Sequence, residues 1–166
     1  MKLTVTLTYA APPSQIGRML VDEEFQRQVC SATGDAQARV SVLDSADGAK
    51  VRTSRRLPTD RLPDAMRALV GHHIIVVQST RWPGARTDAG WTGTVVVAVE
   101  GKPVRLEATA TVVPSAGGTT ITYSGDLVAH IPFLGGKVER AVEPIVRSAL
   151  EAEQRVGAQW LGAPPG

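Results

Sequence analysis

Leu3, Val5, Leu7 and Tyr9 alternate with Lys2, Thr4, Thr6 and Thr8, a period of two that predicts a strand with one apolar and one polar face. Pro12-Pro13-Ser14 breaks the pattern, and from Ser14 to about Ala32 the apolar positions Ile16, Leu20, Phe25 and Val29 fall at helical spacing. Asp22, Glu23 and Glu24 stand at the middle of that stretch, where two short helices can meet. Such a place on an amphipathic helix points carboxylates to water rather than to acid–base work. Ala38, Val40 and Val42 then alternate with Arg39 and Ser41, and Asp47-Gly48 is a hairpin signal leading into Val51, Thr53, Arg55 and Leu57.

From 58 to 71 the period of two is lost. Pro63 suits a first helical position, Asp64 a first turn and Gly71 a stop, while Met66, Leu69 and Val70 are apolar, so a short helix or an ordered loop is expected there. The β-branched runs 74–77 and 91–99 read as strands, and Glu100-Gly101-Lys102 turns the second into Val104, Leu106, Ala108, Ala110 and Val112. Residues 114–118 form the next turn, before Ile121, Tyr123 and Leu127. About seven strands result.

Beyond Gly135-Gly136 the period changes to that of a long helix. Val138, Ala141, Val142, Ile145, Ala149, Ala152, Val156 and Trp160 share one face, and Arg140, Glu143, Arg147, Glu151 and Arg155 the other. Pro144 inside this pattern should kink the helix near Arg140. Residues 1–161 thus read as one domain of one strand, two short helices, six strands and a long helix, with 162–166 as a flexible tail.

Composition narrows the class. With 166 residues, 43% hydrophobic, the chain is long enough to bury a core without disulfides. Its 3 Trp, 2 Tyr and 2 Phe leave Val, Leu, Ile and Ala to fill that core. Eighteen basic residues against 16 acidic ones give a net charge of only +2, too little for an obligate nucleic-acid binder. The single Cys30 has no disulfide or thiolate-metal partner, the N-terminal segment alternates instead of forming a signal-peptide core, and a cytoplasmic location is expected. His72 and His73 are adjacent on an extended stretch and so point to opposite faces, and no metal or cofactor is expected. No phosphate loop, nucleophile elbow or dinucleotide fingerprint is present.

The order of elements, over nearly the whole chain, resembles the helix-grip fold of the START-like (SRPBCC) superfamily, which includes lipid-transfer domains, plant pathogenesis-related allergens and polyketide cyclase/dehydrase proteins. Trp91, the Gly101-Lys102-Pro103 turn and the segment 131–139 (IPFLGGKVE) are most similar to a bacterial family of uncharacterised function within it. The resemblance implies an α+β fold: a curved antiparallel sheet wrapped around the C-terminal helix, with a cavity between them for an apolar ligand. It implies no catalytic set.

Strand parity places Tyr9, Val42, Thr53, Arg55, Trp91, Val95, Val97, Leu106, Ala108, Tyr123 and Leu127 on the concave face. Val138, Val142, Ile145 and Ala149 face them from the helix, and together these residues are the candidate ligand-binding set. Ala141, Ala149 and Ala152 either leave room for a ligand or let helix and sheet close on each other. Arg55 either points inward, where it needs an anionic or carbonyl partner, or snorkels to solvent. Tyr9 and Tyr123 either hold a polar ligand group or bond to backbone. Binding or carrying a lipid, isoprenoid or polyketide-like molecule is the expected function. The alternative is a polyketide cyclase, dehydratase or hydrolase-type enzyme in which Arg55, Tyr9 or Tyr123 polarises a carbonyl. Arg39, Lys50, Arg52 and Arg56 share the outward face of one hairpin, open to a transient membrane-surface contact or to water alone; no aromatic interleaves them to stack bases.

Overall fold

The computed structural model describes residues 1–162. Strand β1 (Lys2–Tyr9) is followed by helices α1 (Pro13–Leu20) and α2 (Glu23–Ala32), then by β2 (Arg39–Ser45), β3 (Gly48–Pro58) and a third helix α3 (Asp64–Val70). Strands β4 (His73–Pro83), β5 (Trp91–Val99), β6 (Val104–Ser115) and β7 (Gly118–Ala129) lead to α4 (Gly135–Gly162). All seven strands form one antiparallel sheet in the order β1-β7-β6-β5-β4-β3-β2. This is the expected α+β helix-grip arrangement, with the first strand returned to the edge beside the last. Of the expected tail, Gly162 closes α4 and 163–166 lie outside the described residues.

The boundaries have local causes. Asp22 separates α1 from α2 because its Oδ1 accepts from the Phe25 backbone N–H at 2.9 Å, which caps the second helix. Glu23 and Glu24 are exposed and pair with Arg27 at 3.6 and 3.7 Å. Segment 58–71 resolves into the end of β3, a loop and the seven-residue α3, with Gly71 at φ 86 stopping the helix. The buried Thr59 hydroxyl donates to the Gly71 carbonyl at 2.6 Å and ties the two feet of this excursion together. Pro144 lies inside α4 without ending it.

Residues opposed in an antiparallel pair share a face, so the register carries one apolar surface across the sheet. Val5 faces Tyr123, Leu106 faces Leu127 and Val97, and Val76 faces Val99 and Arg55. On the outer face Thr4 and Thr6 lie opposite Ser124 and Thr122. Helix α4 packs on β1, β7 and α2, while α1 and α2 cover one end of the sheet. At that end Leu7, Ile16, Phe25, Val112 and Ile121 are fully buried. Trp160 of α4 meets Phe25 edge-on, with ring centroids 5.8 Å apart and planes at 72°.

Candidate functional site

At the other end of the same strands the interior is not filled. A cavity of about 660 Å³ lies between α4 and the sheet, within the range of roughly 300–1,000 Å³ usual for small-molecule sites. Of the expected wall residues, Arg55, Val95, Val97, Leu106, Ala108, Tyr123, Leu127, Val138, Val142, Ile145 and Ala149 line it. Tyr9, Val42, Thr53 and Trp91 do not. Their strand parity is inward, but they sit under the helices at the closed end. A Cβ on Gly157 of α4 would come within 2.4 Å of Tyr9 Cε1, and one on Gly17 of α1 within 3.0 Å of Trp91 Cη2, so both rings are seated against bare helix backbone. Val42 and Thr53, on β2 and β3, lie where α2 covers the sheet.

Several wall residues escaped the strand-parity argument. Ile74, Val76 and Gln78 of β4 line the cavity at alternate positions, and Leu62, Met66, Leu69 and Val70 bring α3 and its approach over it. Helix α3 buries none of its own residues, so its apolar side chains have no core except this opening. The spacing of Met66, Leu69 and Val70 was the available signal. Arg61, Lys102, Arg105 and Arg155, with Asp60, complete the rim.

Thr33, Arg55, Gln78 and Tyr123 put polar groups on the cavity wall. Arg55 is 7% exposed, which settles its direction: Nη1 donates to Thr33 Oγ1 at 2.8 Å and Nη2 to Gln78 Oε1 at 3.4 Å. Snorkelling fails because the end of α2 covers the route to solvent and Thr33 offers an acceptor on the way. Tyr123 donates its hydroxyl to Glu153 Oε1 at 2.9 Å, and Glu153 is itself buried in α4. Glu153 belongs to the inner face that Ala149 and Val156 define, at i+4 and i−3 from them; a carboxylate inside an apolar stripe was the legible sign of it.

These groups shift one another. Burial pushes the Glu153 carboxyl up to about 6, opposed by the Tyr123 hydrogen bond and the Arg55 charge. Burial, and then the Glu153 charge, push the Tyr123 and Tyr9 phenols above their usual value, so both remain protonated donors at neutral pH. Burial holds the Arg55 guanidinium below its ordinary value, against the pull of Cys30, Glu153 and Asp35. Among the described residues the Tyr9 hydroxyl and Arg55 Nε have no hydrogen-bond partner. Elsewhere His72 and His73 are exposed, as are Arg39, Lys50, Arg52 and Arg56 on the outer face of the β2–β3 hairpin. Among the described residues no helix is long and apolar enough to cross a membrane.

Solved structures share the architecture. The crystal structure of TTHA0849 from Thermus thermophilus matches with a TM-score of 0.65 at 15% identity, covering 98% of this chain and all of that one (100%). The Zhui aromatase/cyclase from Streptomyces sp. R1128 matches with a TM-score of 0.58 at 13% identity over 100% of this chain and 97% of its own. The protein is therefore of the helix-grip class. Over residues 4–161 it matches the family described as "Protein of unknown function (DUF2505)", and it belongs to that family. A curated relative, the uncharacterized protein Rv0481c of Mycobacterium tuberculosis, is 26% identical over 122 residues, 71% of this chain and 70% of its own length.

Proposed function

We propose that this protein binds or carries a small hydrophobic ligand, of lipid, isoprenoid or polyketide type, in the cavity between α4 and the sheet, as a START-like helix-grip domain. The observation that carries the reading is the cavity itself: about 660 Å³ whose walls are chiefly Val, Leu, Ile and Ala, in a chain whose other end buries its large side chains under helices. An apolar cavity of this size stays open only where the surrounding framework holds it, and each uncovered wall forfeits the contact energy that a ligand would restore. Native mass spectrometry of gently purified protein, organic extraction and a fluorescent fatty-acid titration test it. The expected result is a co-purifying ligand near one per chain, or a saturable site; no ligand and no saturable uptake would reject the reading.

A second reading, an enzyme of the cyclase or dehydratase type, is favoured by one observation: Arg55 and Tyr123 open onto the same cavity. The unpartnered Nε–H of Arg55 could polarise a substrate carbonyl there. Tyr9 lies away from the cavity and takes no part in it. Conversion of a soluble poly-β-ketone surrogate by the wild type, lost in Arg55→Gln with the surrogate still bound, would support this reading; binding without turnover leaves the carrier.

A further inference from the structure

The cavity walls are apolar, yet one side chain among them is a buried cation. Arg55 lines the cavity at 7% exposure, and both acceptors it reaches, Thr33 Oγ1 and Gln78 Oε1, are neutral. Its Nε has no partner, and it forms no ion pair with any carboxylate among the described residues. Glu153 and Asp35 act on its charge from beyond contact. A guanidinium taken from water and left with an empty N–H is a costly arrangement unless something supplies the missing anion.

We propose that Arg55 is the head-group site of the cavity and that the ligand is a carboxylate-headed amphiphile, a fatty acid or an acid of polyketide type. The proposal rests on the carrier reading and gives its ligand a chemical class. The planar fork of a guanidinium matches the two oxygens of a carboxylate, and such charge-assisted pairs are the strong ones in a dry site. The chain of the ligand then runs outward between Val76, Val97 and Leu106 of the sheet and Val142 of α4. A dianionic phosphate fits poorly, because among the described residues that line the cavity Arg55 is the one buried cation, and Tyr123 has committed its proton to Glu153. Glu153, whose charge also acts on Arg55, works against a second negative charge there. Among the other charged side chains that line the cavity, Arg61, Lys102, Arg105 and Arg155 outnumber Asp60 and favour the approach of an anion.

The test uses the intact protein and two probes with the same chain, dodecanoic acid and dodecan-1-ol, titrated by calorimetry near neutral pH. The wild type should bind the acid about tenfold or more tightly than the alcohol, the ratio expected of one buried charge-assisted pair. Arg55→Gln should bring the ratio close to one, and Arg55→Met is the second variant if the first fails to fold. Independently of any variant, the acid and not the alcohol should shift the Arg55 Nε–H resonance and slow its exchange with water. Equal binding of acid and alcohol by the wild type, or a preference that survives in the Arg55 variants, would overturn the head-group assignment alone. Binding of neither probe would overturn it together with the carrier reading.

Discussion

Along β6, Ala110 and Val112 have no exposed surface, while Leu106 and Ala108 on the same face of the same strand look into the cavity. The same division runs along β1, where Tyr9 is sealed under α4 and Leu3 lines the cavity, and along β7, where Ile121 is sealed and Leu127 lines it. Although Tyr9, Phe25 and Trp91 stand only at the closed end, the Val, Leu, Ile and Ala that both ends share do not separate the two. The helices above do. At the closed end α1, α2 and the last turns of α4 come down onto the sheet, with Gly17 and Gly157 presenting backbone to Trp91 and Tyr9. Over the other end stand α4 from Val138 to Ala152, the end of α2 and the shallow α3, which buries nothing of its own. A sheet with uniform apolar patterning thus becomes half core and half container, according to how closely its cover approaches.

Truncation gives the largest contrast. Phe25→Ala, at the fully buried closed end, should cost about 3–5 kcal/mol. Ile145→Ala, half-buried over the cavity, should cost about 1 kcal/mol or less because no packed partner is lost across the gap. Paired urea titrations measure both; equal losses would erase the distinction between the ends.

Enlargement should reverse the sense. Ala110→Leu has no space to enter and should cost about 1–3 kcal/mol, whereas Ala149→Trp projects into the cavity, should change the melting temperature little and should abolish fatty-acid uptake. A strongly destabilised Ala149→Trp would show that the cavity closes in solution.

Glu153 stands where the two ends meet, and its titration reports on the dryness of that boundary. Its carboxyl is raised from 4.5 to about 6 by burial, so the folded state binds the proton more tightly than the unfolded one. Its contribution to stability is complete below about 4.5 and is lost as the pH rises through about 6. Glu153→Gln, which keeps an acceptor for Tyr123, should therefore gain on the wild type by up to about 2 kcal/mol between pH 4 and pH 8. The depressed carboxylates Asp35, Asp88 and Glu139 are common to both proteins and cancel. A difference that does not change with pH would mean that water reaches Glu153.

The smallest effect is expected from the Asp22 cap. Asp22→Ala frees the Phe25 N–H and should cost about 1 kcal/mol, by loosening the helix that seals the closed end, with ligand uptake unchanged. Loss of uptake in a folded Asp22→Ala would tie the cavity to the seating of α2.

The order of elements was legible from the chain because each signal is local. Alternation in 2–9 can bury only one face of a strand, Pro12-Pro13 cannot continue it, and the apolar stripe from Val138 to Trp160 makes sense only on a helix. Inward parity was legible for the same reason. Parity says which face a side chain is on; it does not say how far away the opposite layer stands. Hence Tyr9, Val42, Thr53 and Trp91 were expected on the cavity wall and instead lie under helices, where Gly17, Gly157 and the placing of α2 decide the gap. The direction of Arg55 was open in the sequence because it depends on Thr33, 22 residues away on the end of α2. Glu153 is legible in the sequence as a carboxylate within the apolar stripe, but its partner Tyr123, 30 residues distant, is not. Backbone periodicity and turn chemistry act over a few residues and write themselves into the sequence. The distance between layers, and the polar groups that meet across it, are set by contacts remote along the chain, and only the folded structure determines them.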